Sequence, residues 1–139
     1  MSTIWTIGHS TKPAEEMLER LQGYGIDRLI DVRTKPFSRW NPQFNKDQLC
    51  LFLAANDINY DWRGLNLGGL GKNVGYSQNI DNVIALSQTE NIVLMCSEGD
   101  FRKCHRFSIL APDLTSRGAE IRHIGYENVR DVTTDLRLL

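Results

Sequence analysis

Cysteine is scarce in this chain and its count is odd: Cys50, Cys96 and Cys104. Three cysteines argue against a disulfide framework, the usual support of small secreted domains. No apolar run approaches the roughly 20 residues of a membrane-spanning helix. The first residues, MSTIWTIGHS, enter a strand pattern without the basic region or cleavage site of a signal peptide. An excess of either charge is missing too. Sixteen Lys and Arg against 17 Asp and Glu leave a formal net charge of -1, so whole-molecule charge recruits neither nucleic acid nor membrane. Internal repeats, linkers and low-complexity tracts are absent. On these absences a cytoplasmic protein with no membrane partner is expected. At 139 residues, with 41% hydrophobic and 24% charged side chains, it is long enough to bury one sizeable core. A single domain over residues 1–139 is expected, with its core at about 3–124 and a tail at 125–139.

Within that domain, strand and helix patterns alternate. Thr3–Gly8 reads as a strand that ends at His9 and Ser10. Pro13 suits a first helical turn, where its missing N–H costs nothing. Ala14, Met17, Leu18 and Leu21 then make one apolar helix face, which Gly23 and Gly25 close. Residues 28–32 (RLIDV) form a second strand. Asn45 with Gln48 resembles a capping box ahead of Leu49, Phe52 and Leu53. Residues 58–62 read as a short strand and residues 80–86 as a helix. Residues 92–95 (IVLM) are apolar enough for a buried strand. A helix pattern follows through Phe107, Leu110, Ala111 and Leu114, which Pro112 should bend or shorten. Residues 120–124 give a fifth strand, and the tail from Gly125 is polar, an edge strand or an arm. The connections are too long for hairpins. The pattern therefore predicts an α/β domain of three layers, α/β/α, with a mostly parallel sheet of about five strands, Rossmann-like or flavodoxin-like.

In such a sheet the carboxyl ends of the strands share one edge, where ligands bind. That edge is expected to gather His9 and Ser10, Asp31 and Arg33, Cys96, Ser97 and Glu98 of the segment 92–106 (IVLMCSEGDFRKCHR), and His123. Cys96 closes a strand there, with Arg102, Lys103 and Arg106 close by in sequence. Nearby cations favour a thiolate, so Cys96 is the candidate nucleophile or redox thiol, against the alternative of an inert core cysteine. His9 or His105 could serve as its base, and Glu98 as a general acid or base or as a partner for Arg106. Asp31 and Arg33 are either site residues or a structural ion pair.

Other readings of the same residues are weaker. Cys96 and Arg102 satisfy the C-x5-R spacing of phosphatase and rhodanese-type anion loops, but Glu98 and Asp100 would repel a phosphate. Cys96, Cys104, His105 and His9 have zinc-ligand chemistry, yet no C-x2-C pair is present. Cys104 and His105 alternatively serve the fold, as a packed thiol and a satisfied imidazole. Residues 63–76 carry five of the 11 glycines and read as a loop beside the site; Gly68, Gly69 and Gly71 make no dinucleotide fingerprint. Residues 33–46 hold four basic side chains, three aromatics and no acid. That composition suits phosphate contact with base stacking and marks Lys35, Arg39 and Trp40 as nucleic-acid-binding candidates. The bland alternative is a surface loop anchored by Trp40 and Phe44.

Four ordered motifs connect these residues: TIGHS at 6–10, DVR-x-x-P-x-S at 31–38, LGG at 67–69 and C-x-E-x-D-x-x-x-C-H-R at 96–106. Together they make the chain resemble the uncharacterised family called domain of unknown function 488. The resemblance implies a small α/β domain with its site at these motifs and brings no reaction with it. Arg102 lies outside the family pattern, and Pro112 departs from its usual helix. From the residues and the resemblance together, Cys96, His9 and Glu98 are the expected catalytic groups of a hydrolase or transferase. Ser10, Asp31, Arg33, Ser38, Gly68, Gly69, Cys104, His105 and Arg106 are the expected substrate contacts. A small anionic ligand or nucleotide is the expected partner, and no metal or cofactor is required. A noncatalytic nucleotide or nucleic-acid module and a zinc-binding domain are the alternatives.

Overall fold

A computed structural model describes residues 2–70, 72–126 and 132–133; within these the side chains of Phe101, Arg106, Phe107, Val132 and Thr133 lie outside the description. One six-stranded sheet runs through the molecule. Its strands are β1 (Thr3–Gly8), β2 (Arg28–Asp31), β3 (Asn59–Trp62), β4 (Ile92–Cys96), β5 (Glu120–His123) and β6 (Val132–Thr133), in the order β3-β2-β4-β1-β5-β6. The first five are parallel, and β6 joins β5 antiparallel at the edge. The helices are α1 (Ala14–Gly23), α2 (Lys46–Ala54), α3 (Gly64–Leu67), α4 (Tyr76–Ser87) and α5 (Ala111–Ser116).

Alternation along the strands sorts the core into two faces. Ile92, Leu94 and Cys96 of β4 join Ile80 and Val83 of α4 and Ala111 and Leu114 of α5. Val93 and Met95 turn the other way, onto Met17 and Leu21 of α1 and Leu49 and Leu53 of α2. All five β4 residues are buried, as expected of a central strand covered on both sides. Each large apolar side chain buried in this way contributes about 1.5–3 kcal/mol. The result is the expected three-layer α/β fold.

The crossovers explain where a site can form. The chain steps from β1 to β2 to β3 with α1 and α2 on one face. It returns from β3 to β4 to β5 with α4 and α5 on the other. Strand β4 therefore leaves the sheet toward one face while both its neighbours, β1 and β2, leave toward the other. Such a switch opens a crevice at the carboxyl ends of the strands.

Three local expectations need correction. The glycine-rich stretch is not loop throughout, because Gly64–Leu67 forms one helical turn. A Cβ at Gly64 would lie 2.0 Å from the Arg33 carbonyl oxygen, so this glycine provides close approach of two backbones rather than flexibility. Asn45 does not cap α2 with its side chain; its Oδ1 accepts the Ser38 N–H at 2.6 Å instead. The helix expected at 80–86 begins earlier, at Tyr76. Pro112 does shorten its element. A π-helical turn, Arg106–Leu110, precedes it, and the α-helix runs only from Ala111 to Ser116.

Candidate functional site

Between the ends of β1, β2 and β4 lies a cleft with two adjoining halves. The first, about 340 Å³, is lined by Arg33, Thr34, Lys35, Gly69, Leu70, Cys96, Ser97, Glu98, Lys103, Cys104 and His105. The second is lined by His9, Ser10, Thr11, Phe37, Ser38, Asn41 and Gly99, and shares Arg33, Lys35, Ser97 and Glu98 with the first. The β1 and β4 exits are tied together beside it: the His9 N–H donates to the Cys96 carbonyl and the Ser10 N–H to the Ser97 carbonyl, both at 2.9 Å. Ser10 pays for this path with a left-handed φ of 53°.

The floor is a buried ion pair. Asp31 and Arg33 are 0% and 7% exposed. Arg33 Nε donates to Asp31 Oδ1 at 2.9 Å, and Nη2 donates to Asp31 Oδ2 at 2.7 Å and to the Phe44 carbonyl at 2.8 Å. The Tyr60 hydroxyl donates to Asp31 Oδ2 at 2.5 Å. Burial, with the Asp31 charge second, pushes the Tyr60 phenol well above its ordinary range. Two of the three guanidinium nitrogens are thus committed to the fold, and Nη1 makes no hydrogen bond to the described residues. Asp31 is absent from the cleft lining. Trp62 Nε1 holds the Arg33 carbonyl from outside at 2.8 Å.

The first half contains the thiols. Cys96 and Cys104 are both buried, and their sulfurs are in direct contact. The Cys96 thiol also reaches the Glu98 carbonyl at 3.6 Å. His105 Nε2 lies 3.0 Å from the Leu67 carbonyl, which can only accept, so the ring proton belongs on Nε2. That leaves Nδ1 as an acceptor, 3.7 Å from the Cys104 sulfur. The glycines opposite are spatial necessities. A Cβ on Gly69 would come 2.9 Å from His105 Nδ1, and one on Gly68 would come 2.1 Å from Thr34 Oγ1.

The second half is organised by His9. Its ring stacks on Phe44, with centroids 4.4 Å apart, and Nδ1 donates to the Ser10 carbonyl at 2.7 Å. Burial is the main cause that lowers its pKa to about 4; the Ser10 bond opposes this and the Arg33 charge adds to it. The imidazole is therefore neutral at pH 7. Its Nε2 is buried, and no described residue donates to it. The His9 ring makes no hydrogen bond to Cys96. Phe44 belongs to the α1/α2 core and Cys96 to the α4/α5 core.

Of the residues expected at the site, the cleft gathers Cys96, Cys104, His105, Glu98, Gly69, Arg33, Ser10, His9 and Ser38, across its two halves. Glu98 is exposed, and its Oε1 accepts the Asp100 N–H at 3.1 Å. Ser38 Oγ accepts the Trp40 and Asn41 N–H groups. Lys35 lines both halves of the cleft, whereas Arg39 and Trp40 stand outside it, Trp40 at 83% exposure. The Arg106 side chain and the whole of Gly71 lie outside the described residues. Arg102 pairs with Asp100 at 3.1 Å and does not line the cleft, so it does not complete an anion loop around Cys96. That bond holds the partly exposed Asp100 carboxyl below its ordinary range. Sequence reasoning did not single out Thr34, Leu70 or Asn41. Thr34 was readable from its place between Arg33 and Lys35; the other two are loop residues without a chemical signature. Among the described residues, no group of three or more His, Cys, Asp or Glu side chains is disposed to hold a metal ion, and no helix is long and apolar enough to cross a membrane.

The family model described as Domain of unknown function DUF488 matches residues 13–73. The chain thus resembles that family from α1 through the DVR and LGG segments, and the match ends before Cys96. No curated protein and no solved structure matches the chain.

Proposed function

We propose that the protein is a cysteine-dependent enzyme acting on a small anionic substrate, with Cys96 as nucleophile. One observation carries this reading: two thiols and the cations Arg33, Lys35 and Lys103 line one cleft at the sheet's switch point. Cations beside a thiol favour its ionised form and draw anions to it. In the reaction, the Cys96 sulfur forms a bond to the electrophilic atom of the substrate. The leaving group departs with the electron pair of the bond it breaks. The proton of the thiol pair passes through Cys104 to His105 Nδ1. Lys35, Lys103 and the remaining nitrogen of Arg33 hold the substrate's charge. His9 Nε2 accepts a hydrogen bond from the unreacting part of the substrate in the second half. A nucleotide fits this scheme, with its phosphate on the cations and its base against Phe37, which is 65% exposed at the rim.

The test compares two alkylating agents. Cys50 is exposed on α2 and supplies an internal reference. Anionic iodoacetate, relative to neutral iodoacetamide, should favour Cys96 over Cys50 by about tenfold, the low end of electrostatic attraction in a charged cleft. Lys35→Glu combined with Lys103→Glu should remove that preference. An equal ratio at Cys96 and Cys50 in the unaltered protein would overturn the anionic-substrate reading.

A second reading has its own observation. Trp40 and Phe37 are the exposed aromatics of a segment that also carries Lys35 and Arg39. A noncatalytic module would use them to stack the bases of a single strand while the cations meet phosphate. Binding that weakens steeply with salt would support it.

A further inference from the structure

We propose that Cys96 and Cys104 work as a dithiol–disulfide couple, and that the substrate class of this cleft is a small disulfide carrying carboxylates. The inference rests on Cys96 being the attacking thiol and goes beyond it, because it assigns Cys104 a covalent role and names the electrophile as sulfur. Cys104 is eight residues from Cys96, yet the 3-10 turn at Phe101–Lys103 folds it back until the two sulfurs are in contact. Both line the same cleft. With the remaining proton of the pair on Cys104, its S–H stabilises charge on Cys96, which is then the first to attack. The base stands on the other side. His105 Nδ1 faces Cys104 because the Leu67 carbonyl occupies the opposite nitrogen. The second thiol therefore has its own proton acceptor.

The chemistry balances in two exchanges. The Cys96 thiolate attacks one sulfur of R–S–S–R; the S–S bond breaks, and R–S⁻ leaves with the electron pair and takes up a proton. Cys96 is then joined to S–R. His105 accepts the Cys104 proton, and the Cys104 thiolate attacks the Cys96 sulfur. The Cys96–Cys104 bond forms and the second R–SH leaves with that proton. The protein dithiol is oxidised by two electrons and the small disulfide is reduced to two thiols. An external dithiol restores the starting state by the reverse exchange. Lys35, Lys103 and Arg33 supply the preference for carboxylates on R.

The reduced full chain, in a Cys50→Ser background, is treated with oxidised glutathione or with cystamine, a cationic disulfide, quenched in acid and read by mass spectrometry. Oxidised glutathione should convert the protein to an internal Cys96–Cys104 disulfide with no glutathione retained, at least about tenfold faster than cystamine does. Cys104→Ser should instead retain one glutathione on Cys96, and Cys104→Ala should do the same. Retention of glutathione on Cys96 of the chain with both thiols intact, without an internal disulfide, would overturn the couple. So would failure of either thiol to react. If the couple fails while Cys96 keeps its preference for iodoacetate, the nucleophile reading stands alone. If the disulfide forms equally fast with cystamine, the carboxylate preference is wrong.

Discussion

His9 and His105 lie in the two halves of one cleft, and each has a ring nitrogen fixed by a backbone carbonyl. In His9 it is Nδ1, held by its neighbour Ser10; in His105 it is Nε2, held by Leu67 at the end of α3. The choice of nitrogen decides what the other one meets. His9 keeps a buried Nε2 acceptor that no described residue satisfies, whereas His105 presents Nδ1 to a thiol. On the proposed reading, one half accepts a hydrogen bond from a ligand and the other moves a proton. The two share a floor at Arg33, which lines both.

That shared floor gives the largest expected effect. Asp31→Ala would leave the Arg33 charge buried without its carboxylate, and Tyr60 without its acceptor. Breaking a buried pair in this way costs about 3–5 kcal/mol. Urea unfolding should show this loss, and both halves should lose function together. A loss under about 1 kcal/mol would mean that the halves do not depend on a common base.

Acid should then separate the histidines. The His9 pKa is lowered to about 4 in the folded chain, from about 6.5 when unfolded. The unfolded chain therefore takes up this proton first as pH falls. The stability tied to neutral His9 is complete above about pH 6.5, shrinks down to about pH 4 and is constant below. The loss is about 3 kcal/mol, from the linkage of proton binding to folding. His9→Gln should flatten this part of the stability–pH curve. If the curve keeps its slope in the variant, burial of His9 is not its source.

How much of this could be read beforehand differs between the same two halves. The strands, the three layers and the meeting of His9, Arg33 and Cys96 at one edge followed from periodicity, since a parallel sheet leaves its carboxyl ends little freedom. His105 was named as a base, but its proximity to Cys104 rather than Cys96 was not legible. It depends on the Leu67 carbonyl, which α3 positions through the tight passage of Gly64 past Arg33. A carbonyl acceptor has no sequence signature. The role of Asn45 was misread for the same reason: the capping pattern was present, but the loop offered its side chain a different donor, Ser38.

Gly69→Ala tests the thiol half alone. Its Cβ would press on His105 Nδ1 and Cγ, at 2.9 and 3.1 Å, and displace the ring from Cys104. Alkylation of Cys104 should slow by about tenfold, less than the 10²-fold or more that an intact base contributes. His9-dependent acid sensitivity should not change. Unaltered Cys104 reactivity would show that His105 does not serve it.

The smallest effect is expected outside the cleft. Trp40 is 83% exposed, and Arg39 is exposed beside it. Neither takes part in the two cores, so Trp40→Ala and Arg39→Ala should each shift unfolding by less than about 0.5 kcal/mol. The informative readout is binding of a single-stranded oligonucleotide at low salt. If the cleft is the whole site, neither variant changes it and the chain binds no strand to begin with. If the chain does bind and Trp40→Ala weakens binding by about 1–3 kcal/mol, the value of one stacked base, the exposed rim is itself a recognition surface. The two halves of the cleft would then be neighbours to a third region, with Lys35 and Phe37 belonging to both.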